Sequence, residues 1–290
     1  MKANEPGYRL RDQALAAGNS GLRFATPEQK FGQISVQTPE QRGVPKWTGT
    51  AEEATRMLRT AMVFFGAADI GTAEINEHHQ KLIGLTGENV STSYYPGIDK
   101  APTTATKPLV FSDQPKFSFD SKTGISYLPN VPLFGVTYQI PQDSELNRVR
   151  PTTLGGVAQT RYRLREVPRA ATQAFIATLG YESMHDEPYR AIPSNAGSVL
   201  SGLSENARHS IMSISPEFGA FGGYFDMLTT LPVEPTKPIN AGIWRFCQTC
   251  GLCADYCPSN SIQKKGANEP SFEVTPSSVI PIDPPLPGMR

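Results

Sequence analysis

The chain has 290 residues, of which 38% are hydrophobic and 19% are charged. This composition is typical of a globular chain rather than a disordered one, and the length allows one large domain or two modest ones. Lysine plus arginine and aspartate plus glutamate number 27 each, so the charge balance gives no indication of a nucleic-acid-binding surface.

The N-terminal part divides into an irregular arm and a helix. Residues 1–49 are polar and interrupted by proline and glycine, which predicts an arm without regular structure. Thr50 and Glu53 have the spacing of a capping box, and apolar residues recur after them on one helical face. This pattern predicts a helix over 51–65, which Gly66 ends.

Short strands and helices are predicted for the middle of the chain. The strands are expected over 67–75, 109–111, 132–140, 191–192 and 221–231. The helices are expected over 76–85, 157–166, 168–179 and 196–207. Pro168 lacks a backbone donor and so divides one helical stretch in two, and Asn195 is a suitable N-cap for the last helix. The intermixed elements predict an α/β or α+β fold.

A proline-rich segment over 232–238 marks a change in the character of the chain. All four cysteines lie after this segment, and the predicted strands and helices lie before it. We therefore predict a domain boundary near residue 235. The resulting organisation is an irregular arm over 1–49, a main domain over 50–235 and a cysteine-bearing domain over 236–290.

The cysteine segment carries the strongest motif in the chain. Cys247, Cys250, Cys253 and Cys257, followed by Pro258, have the C-x2-C-x2-C-x3-C-P spacing of bacterial ferredoxins. In that spacing the first three thiolates bind one 4Fe-4S cluster, and the fourth usually ligates the other cluster of a pair. Structural zinc normally uses two C-x2-C pairs separated by a long loop, so zinc is the weaker alternative. Disulfides are disfavoured because the segment contains no long loop to close.

About 235 residues precede the cysteine segment, which is too many for a simple ferredoxin and implies a substrate or cofactor domain. From position 51 to position 262 the sequence resembles the reductive dehalogenases. The resemblance rests on the order and spacing of short motifs. These motifs are FFGAADIG (64–71), Tyr162 with LGY (179–181), AIPSN (191–195), GLSENAR (202–208), SPEFG (215–219), LPVEPTKPINAG (231–242) and the cysteine run.

The resemblance implies a fold and a reaction. It implies a nitroreductase-like α/β domain that binds a corrinoid (a cobalamin), followed by a ferredoxin-like domain with two 4Fe-4S clusters. Electrons are expected to pass from the clusters to cobalt and then to the carbon–halogen bond of an organohalide, which we expect to be a chlorinated aliphatic hydrocarbon. The protein is expected to supply orientation, a dry pocket and a proton.

The resemblance also implies roles for individual residues. Tyr162 matches the tyrosine that donates the proton in the family, and Asn195 matches a substrate-pocket asparagine. Family members commonly carry arginine or lysine at the position of Gly223, where it stabilises the tyrosinate, so Arg165 and Arg208 are the candidate sources of positive charge here. The alternative interpretations are a packed tyrosine, a helix-capping asparagine and two solvated surface arginines.

The family also implies partners and a location. We expect a small membrane-anchor protein, an electron donor and no nucleic acid, with the intact exported protein on the outer face of the cytoplasmic membrane. The sequence shows no export signal, and its longest apolar stretch is far shorter than the roughly 18 residues of a membrane span, so the chain itself is expected to be soluble.

The number of cysteines limits what the 290 residues can do. Two clusters need eight thiolates, whereas the chain has four cysteines. We therefore expect a sequence cut short at both ends, which binds one cluster or none and does not dehalogenate alone. The alternative functions are an epoxyqueuosine reductase-like enzyme and a non-catalytic iron-sulfur or corrinoid electron-transfer protein.

Overall fold

A computed structural model of the chain describes residues 5–7, 36–83, 109–156, 160–185, 192–209, 212–257 and 262. Its helices are α1 (Ala51–Phe64), α2 (Ser144–Arg148), α3 (Thr153–Gly156), α4 (Arg161–Leu164), α5 (Glu166–Leu179), α6 (Ser194–Leu200), α7 (Ile243–Cys250) and α8 (Leu252–Asp255), with a 3-10 helix at His79–Leu82. Its strands are β1 (Asp69–Glu74), β2 (Leu109–Ser112), β3 (Ser118–Asp120), β4 (Ile125–Pro129), β5 (Phe134–Pro141), β6 (Ser183–His185), β7 (Glu205–Asn206), β8 (Ser213–Ile214) and β9 (Gly222–Thr229).

A four-stranded antiparallel sheet forms the centre of the fold, with the strand order β1-β5-β9-β6. Nearly every residue of β5 and β9 is buried, so both faces of these two strands are covered. A three-stranded sheet, β2-β4-β3, and the β7-β8 pair lie outside it. The prediction of a mixed α and β fold is therefore confirmed.

The two faces of the central sheet carry different helices. Tyr138, Phe225 and Met227 point to one face, where they pack with apolar residues of α1 and α5. Neighbouring residues of a strand point to opposite faces, so Asp226 points to the other side. There the Cα of Gly197 in α6 lies so close to Asp226 that a Cβ would overlap its carboxylate. Helices α1 and α5 thus cover one face, and α6 covers the other.

Helix α1 confirms the capping-box prediction. The Thr50 hydroxyl accepts a hydrogen bond from the Glu53 N–H at 3.1 Å, and the Glu53 carboxylate accepts one from the Thr50 N–H at 2.9 Å. Ala54, Leu58 and Met62 form the buried stripe of the helix. Gly66, with φ of +111°, ends it in a conformation that favours glycine.

The predicted division near Pro168 is confirmed, although the break itself falls at Arg165 between α4 and α5. Pro168 lies in the first turn of α5, where its missing N–H costs no helical hydrogen bond. The strands predicted over 67–75, 109–111, 132–140 and 221–231 correspond to β1, β2, β5 and β9.

Three other predictions of secondary structure are wrong within the described residues. The helix predicted over 76–85 is only the short 3-10 helix, because the Asn76 side chain accepts from the N–H groups of His78 and His79 and forms a local turn. Ile192 lies in a bend rather than a strand, and Ala191 lies outside the described residues.

The helix predicted over 196–207 is α6, which ends much earlier than expected. Gly202 has φ of +76°, and Leu203 and Ser204 turn back to donate to the Ser198 carbonyl. The predicted cap is also wrong, because Pro193 is the N-cap and Asn195 lies inside the first turn.

Candidate active site around Tyr162

Tyr162 lies on α4, at the edge of the apolar layer between α5 and the central sheet. It is half-buried and packs against the core cluster of that face. Its ring meets Phe225 of β9 edge to face, with 6.0 Å between the ring centroids. Such a contact favours one orientation of the ring. The predicted proton donor is therefore a positioned tyrosine at the margin of the core.

Arg161 contacts the Tyr162 hydroxyl. Its Nη2 donates to the Tyr162 Oη at 3.0 Å, and its Cζ lies 4.6 Å from the centre of the Tyr162 ring. One arginine thus forms a charge-assisted hydrogen bond and a cation–π contact with the same tyrosine. The sequence reasoning missed Arg161, since adjacent helical residues point about 100° apart and nothing in the sequence indicates that these two side chains meet.

Arg165 is buried beside the ring of Tyr162. Its Cζ lies 5.4 Å from the Tyr162 ring centre and 4.8 Å from the Phe225 ring centre. Its side chain is 2% exposed, and its Nε donates to Glu166 at 3.0 Å. Glu166 also binds Arg169. The interpretation of Arg165 as a solvated surface charge is therefore wrong, and its charge is shared with a buried carboxylate.

The other two predicted residues lie elsewhere. Asn195 is in the first turn of α6, which packs on the face of the sheet opposite to Tyr162. Arg208 follows β7 and is 3% exposed, so it too is buried and not a solvated surface charge. The structure therefore brings Arg165 into the layer of Tyr162, and it places Asn195 in a different layer.

A buried group of hydroxyls lies on the other side of β9. Tyr224 is next to Gly223 in the strand, is 5% exposed and faces Ser204, Ser213 and Ser215. Burial raises the pKa of Tyr224 to about 12, and its hydroxyl makes no hydrogen bond of good geometry in the described structure. Tyr224 is therefore a neutral phenol at physiological pH and a packing residue of this layer.

The cysteines lie on two short helices at the end of the described chain. Cys247 and Cys250 belong to α7, Cys253 belongs to α8, and Cys257 follows α8. None of the four thiols forms a disulfide, and all four are half-buried. Among the described residues, no three cysteine, histidine, aspartate or glutamate side chains converge as a metal site. The donors fit an iron-sulfur cluster in kind and in spacing, and their role as ligands stays a prediction.

Glu205 attaches the cysteine-bearing helix to the rest of the fold. Its carboxylate accepts hydrogen bonds from the N–H groups of Ile243 at 2.8 Å and Trp244 at 3.3 Å, and also from Ala241. These groups form the N-terminus of α7, whose unpaired donors favour a carboxylate. The sequence reasoning used Glu205 only as part of the GLSENAR motif and missed this role.

Comparison with known proteins identifies the family. The sequence model of the reductive dehalogenase subunit matches residues 1–233. The trichloroethene reductive dehalogenase of Dehalococcoides mccartyi is 32% identical over 257 residues, which cover 82% of this chain and 45% of that protein. The chloroethene reductive dehalogenase of the same species is 28% identical, over 84% of this chain and 48% of that protein.

The fold is also similar to a solved structure. A catabolic reductive dehalogenase in complex with 3-bromo-4-hydroxybenzoic acid matches with a TM-score of 0.55 and 18% identity, over 88% of this chain and 30% of that chain. The chain spans about half the length of the curated relatives it matches. With most of its length matched by the family model, the chain belongs to the reductive dehalogenase family.

Proposed function

We propose that the whole protein removes halogen reductively from a small organohalide, of the class of chlorinated aliphatic hydrocarbons. The curated relatives named above act on trichloroethene and chloroethene by name, which supports this substrate class. The observation in this chain that carries the proposal is the Tyr162 hydroxyl, held at the edge of the core by a hydrogen bond from Arg161.

Replacement of halogen by hydrogen requires two electrons and one proton for each halide released. In the proposed reaction the carbon–halogen bond breaks, the halide leaves with an electron pair, and the carbon takes a proton from the Tyr162 hydroxyl. Tyr162 becomes a phenolate until solvent returns the proton. A phenol is protonated at neutral pH and can still donate to a strongly basic carbon centre, so the residue type fits the step.

A corrinoid is the proposed redox cofactor. A solved reductive dehalogenase described as B12-dependent matches this chain with a TM-score of 0.51 and 16% identity, which supports a shared fold. A bound corrinoid would supply low-potential electrons to the carbon–halogen bond. Tyr162 and Arg161 are both half-buried, so neither side chain is sealed in the core. Their exposure and chemistry fit the proton side of the reaction.

Iron-sulfur clusters are the proposed electron source. We propose that Cys247, Cys250 and Cys253 bind one 4Fe-4S cluster and that Cys257 serves a second, as the spacing suggests. In the proposed organisation, residues 50–235 are a nitroreductase-like domain that binds the corrinoid, and residues 236–290 belong to a ferredoxin-like domain. Residues 1–49 form the arm before them.

The proposal extends to partners and location. We propose that the whole protein receives electrons from a donor, is held by a small membrane-anchor protein and acts at the outer face of the cytoplasmic membrane. The family match to a subunit supports partners in general. Within the described residues, no helix combines the length and the apolar character needed to cross a bilayer.

Replacement of Tyr162 by phenylalanine tests the proposal. In the whole protein, isolated with its cofactors, Tyr162→Phe is expected to lower chloride release from trichloroethene by about 100-fold or more, because the proton donor is lost. Corrinoid and iron contents should stay the same, since the ring still packs on Phe225.

Tyr181→Phe is the matched control. Tyr181 packs against the same core, and its hydroxyl donates to the Trp47 carbonyl at 3.0 Å. Its loss removes a structural hydrogen bond without touching Tyr162, so turnover should stay within about threefold of the unmodified protein. Equal turnover in Tyr162→Phe and Tyr181→Phe would show that Tyr162 is a packing residue.

A further inference from the structure

We infer that Arg161 is the positioning residue for Tyr162, and that Gly223 is a glycine because the Arg161 side chain occupies the space that a side chain at 223 would fill. In this chain the cation beside the tyrosine therefore comes from helix α4 and not from strand β9. The inference rests on the proposed function, in which Tyr162 donates the proton.

Gly223 lies at a covered position of β9, on the face that carries Tyr162. It is two residues from Phe225 and so points to the same face of the sheet, and Phe225 is the residue on which the Tyr162 ring packs. The strand is buried along its whole length. A glycine at such a position leaves a gap in the packing unless a neighbouring side chain fills it.

Arg161 fills that gap. A Cβ built on Gly223 would lie 2.9 Å from the Arg161 Cγ and 3.0 Å from its Cβ, and closer still to its Cδ. These atoms are the stem of the arginine, which cannot move aside without moving the guanidinium. Any side chain at 223 is therefore incompatible with Arg161 in the position that binds the Tyr162 hydroxyl.

Arg161 is also better suited than Arg165 to stabilise a phenolate. Arg165 contacts the ring of Tyr162 and is paired with buried Glu166. Arg161 donates directly to the Tyr162 oxygen at 3.0 Å. Among the described residues, no carboxylate forms an ion pair with Arg161. Its full charge is thus available to the oxygen that becomes negative when the proton leaves.

Melting temperatures of the 290-residue chain test whether a side chain at position 223 and the Arg161 side chain would occupy the same space. Gly223→Arg is expected to lower the melting temperature by about 5 °C or more, because its side chain overlaps Arg161. The double variant Arg161→Ala with Gly223→Arg should recover at least half of that loss. Gly156→Arg is the matched control and should change little, since no atom of the described residues lies within 4 Å of a Cβ added there.

Turnover of the whole protein tests the role of the charge. Arg161→Met keeps the bulk over Gly223 but removes the charge, and we expect kcat for trichloroethene to fall about 30-fold or more with little change in KM. Arg161→Lys should retain most of the activity. The double variant Arg161→Ala with Gly223→Arg should regain at least a tenth of it, because the cation returns from the strand. Arg148→Met, in an exposed arginine paired with Glu145, should have no effect.

These experiments distinguish failure of the inference about Arg161 and Gly223 from failure of the proposed role of Tyr162. If Tyr162→Phe loses turnover while Arg161→Met and Arg161→Lys behave alike, the inference is wrong and the proposed function stands. If Gly223→Arg does not lower the melting temperature, Arg161 does not fill the space of a side chain at 223. If the double variant is folded but inactive, a cation at 223 does not replace Arg161. If Tyr162→Phe turns over normally, Tyr162 is not the proton donor and the role of Arg161 in turnover is wrong, whereas the stability measurements still decide whether Arg161 and Gly223 share one space.

Discussion

Three charged residues at the start of helix α5 are buried together beneath Tyr162. Arg165, Glu166 and Arg169 are 2%, 4% and 3% exposed, and the Glu166 carboxylate binds both arginines. Two cations share one buried anion, so the carboxylate compensates charges that water does not reach. Arg165 in turn supports the rings of Tyr162 and Phe225. Glu166 therefore holds in place the residue on which the candidate catalytic tyrosine rests.

Glu166→Gln is expected to lower the free energy of unfolding by about 3 kcal/mol or more, because it removes the carboxylate charge that both buried guanidinium groups contact. Urea unfolding of the 290-residue chain measures the change. Glu145→Gln is the matched control, since Glu145 pairs with Arg148 at 2.8 Å on an exposed surface, where such a pair contributes about 0.5 kcal/mol. Similar losses in both variants would contradict a special role for the buried network.

The raised pKa of Tyr224 predicts that the protein loses stability at alkaline pH. Its folded pKa is raised to about 12 by burial, whereas an unfolded tyrosine has a pKa of about 10. Below pH 10 both states are protonated and the full contribution is present. As the pH rises from about 10 to about 12, only the unfolded state loses its proton, so the free energy of unfolding falls by about 2 kcal/mol.

Tyr224→Phe should remove this dependence. The measurement is urea unfolding of the two proteins from pH 9 to pH 11.5, in which the difference between them isolates Tyr224 from the other tyrosines. The stability of the Tyr224→Phe protein should fall less steeply with pH. Parallel curves would show that Tyr224 ionises as readily in the folded state as in the unfolded chain.

Among individual residues, the sequence predicted Tyr162 as the candidate proton donor, but it did not predict that Arg161 binds its hydroxyl. Arg165 was the expected partner because residues three apart lie on one helical face, and it does reach the Tyr162 ring. Arg161 reaches the hydroxyl instead, through a long side chain that depends on the empty space above Gly223. Helical periodicity does not describe contacts made by way of another element.

The proposed electron path depends on how helix α7 is attached to the rest of the fold. This helix carries Cys247 and Cys250, and Glu205 accepts hydrogen bonds from the N–H groups at its start. Gly202, with φ of +76°, lies against the Lys237 carbonyl and fits there only without a side chain. The segment after α6 therefore holds the start of the cysteine region against the fold.

Glu205→Ala is expected to destabilise the first turn of α7 by about 1 kcal/mol, because the N–H groups of Ile243 and Trp244 lose their acceptor. Hydrogen exchange of the α7 amides should be several times faster, with no change in α1. Glu217→Ala, an exposed glutamate of the nearby SPEFG motif, is the control and should leave exchange as it is. Unchanged protection of α7 in Glu205→Ala would show that other contacts hold the helix.

Elements with strong local signals were predictable from sequence, and elements with weak signals were not. The capping box and apolar stripe of α1 predicted its start, and Pro168 indicated the break before α5. The helix expected over 76–85 had only polar residues at its start, and the Asn76 side chain formed a turn instead. The helix predicted over 196–207 continued past Gly202, whose positive φ follows the end of α6.

On the scale of the whole molecule, the central sheet separates two layers with different contents. Tyr162, Arg161 and the buried Arg165 lie on the face of Phe225, whereas α6 and the hydroxyl group around Tyr224 lie on the face of Asp226. The order β1-β5-β9-β6 joins segments that are distant in sequence. Local periodicity contains no information about such pairing, so the sheet order and the two layers could not be predicted.

The family, in contrast, could be recognised from short motifs in a fixed order, and the comparison over residues 1–233 confirms it. The cysteine ligands, the two-domain organisation and the location of the whole protein remain predictions. The central claim is that electrons pass through this protein to a carbon–halogen bond, and not merely to another electron carrier.

The most direct test is a count of chloride released against electrons consumed. The whole protein, isolated with corrinoid and iron-sulfur clusters, is given trichloroethene and a measured amount of reduced viologen. We predict one chloride for every two electrons, and no chloride after the corrinoid has been removed. A protein that binds corrinoid and oxidises the viologen but releases no chloride would be an electron-transfer or carrier protein, which would contradict the proposed dehalogenation.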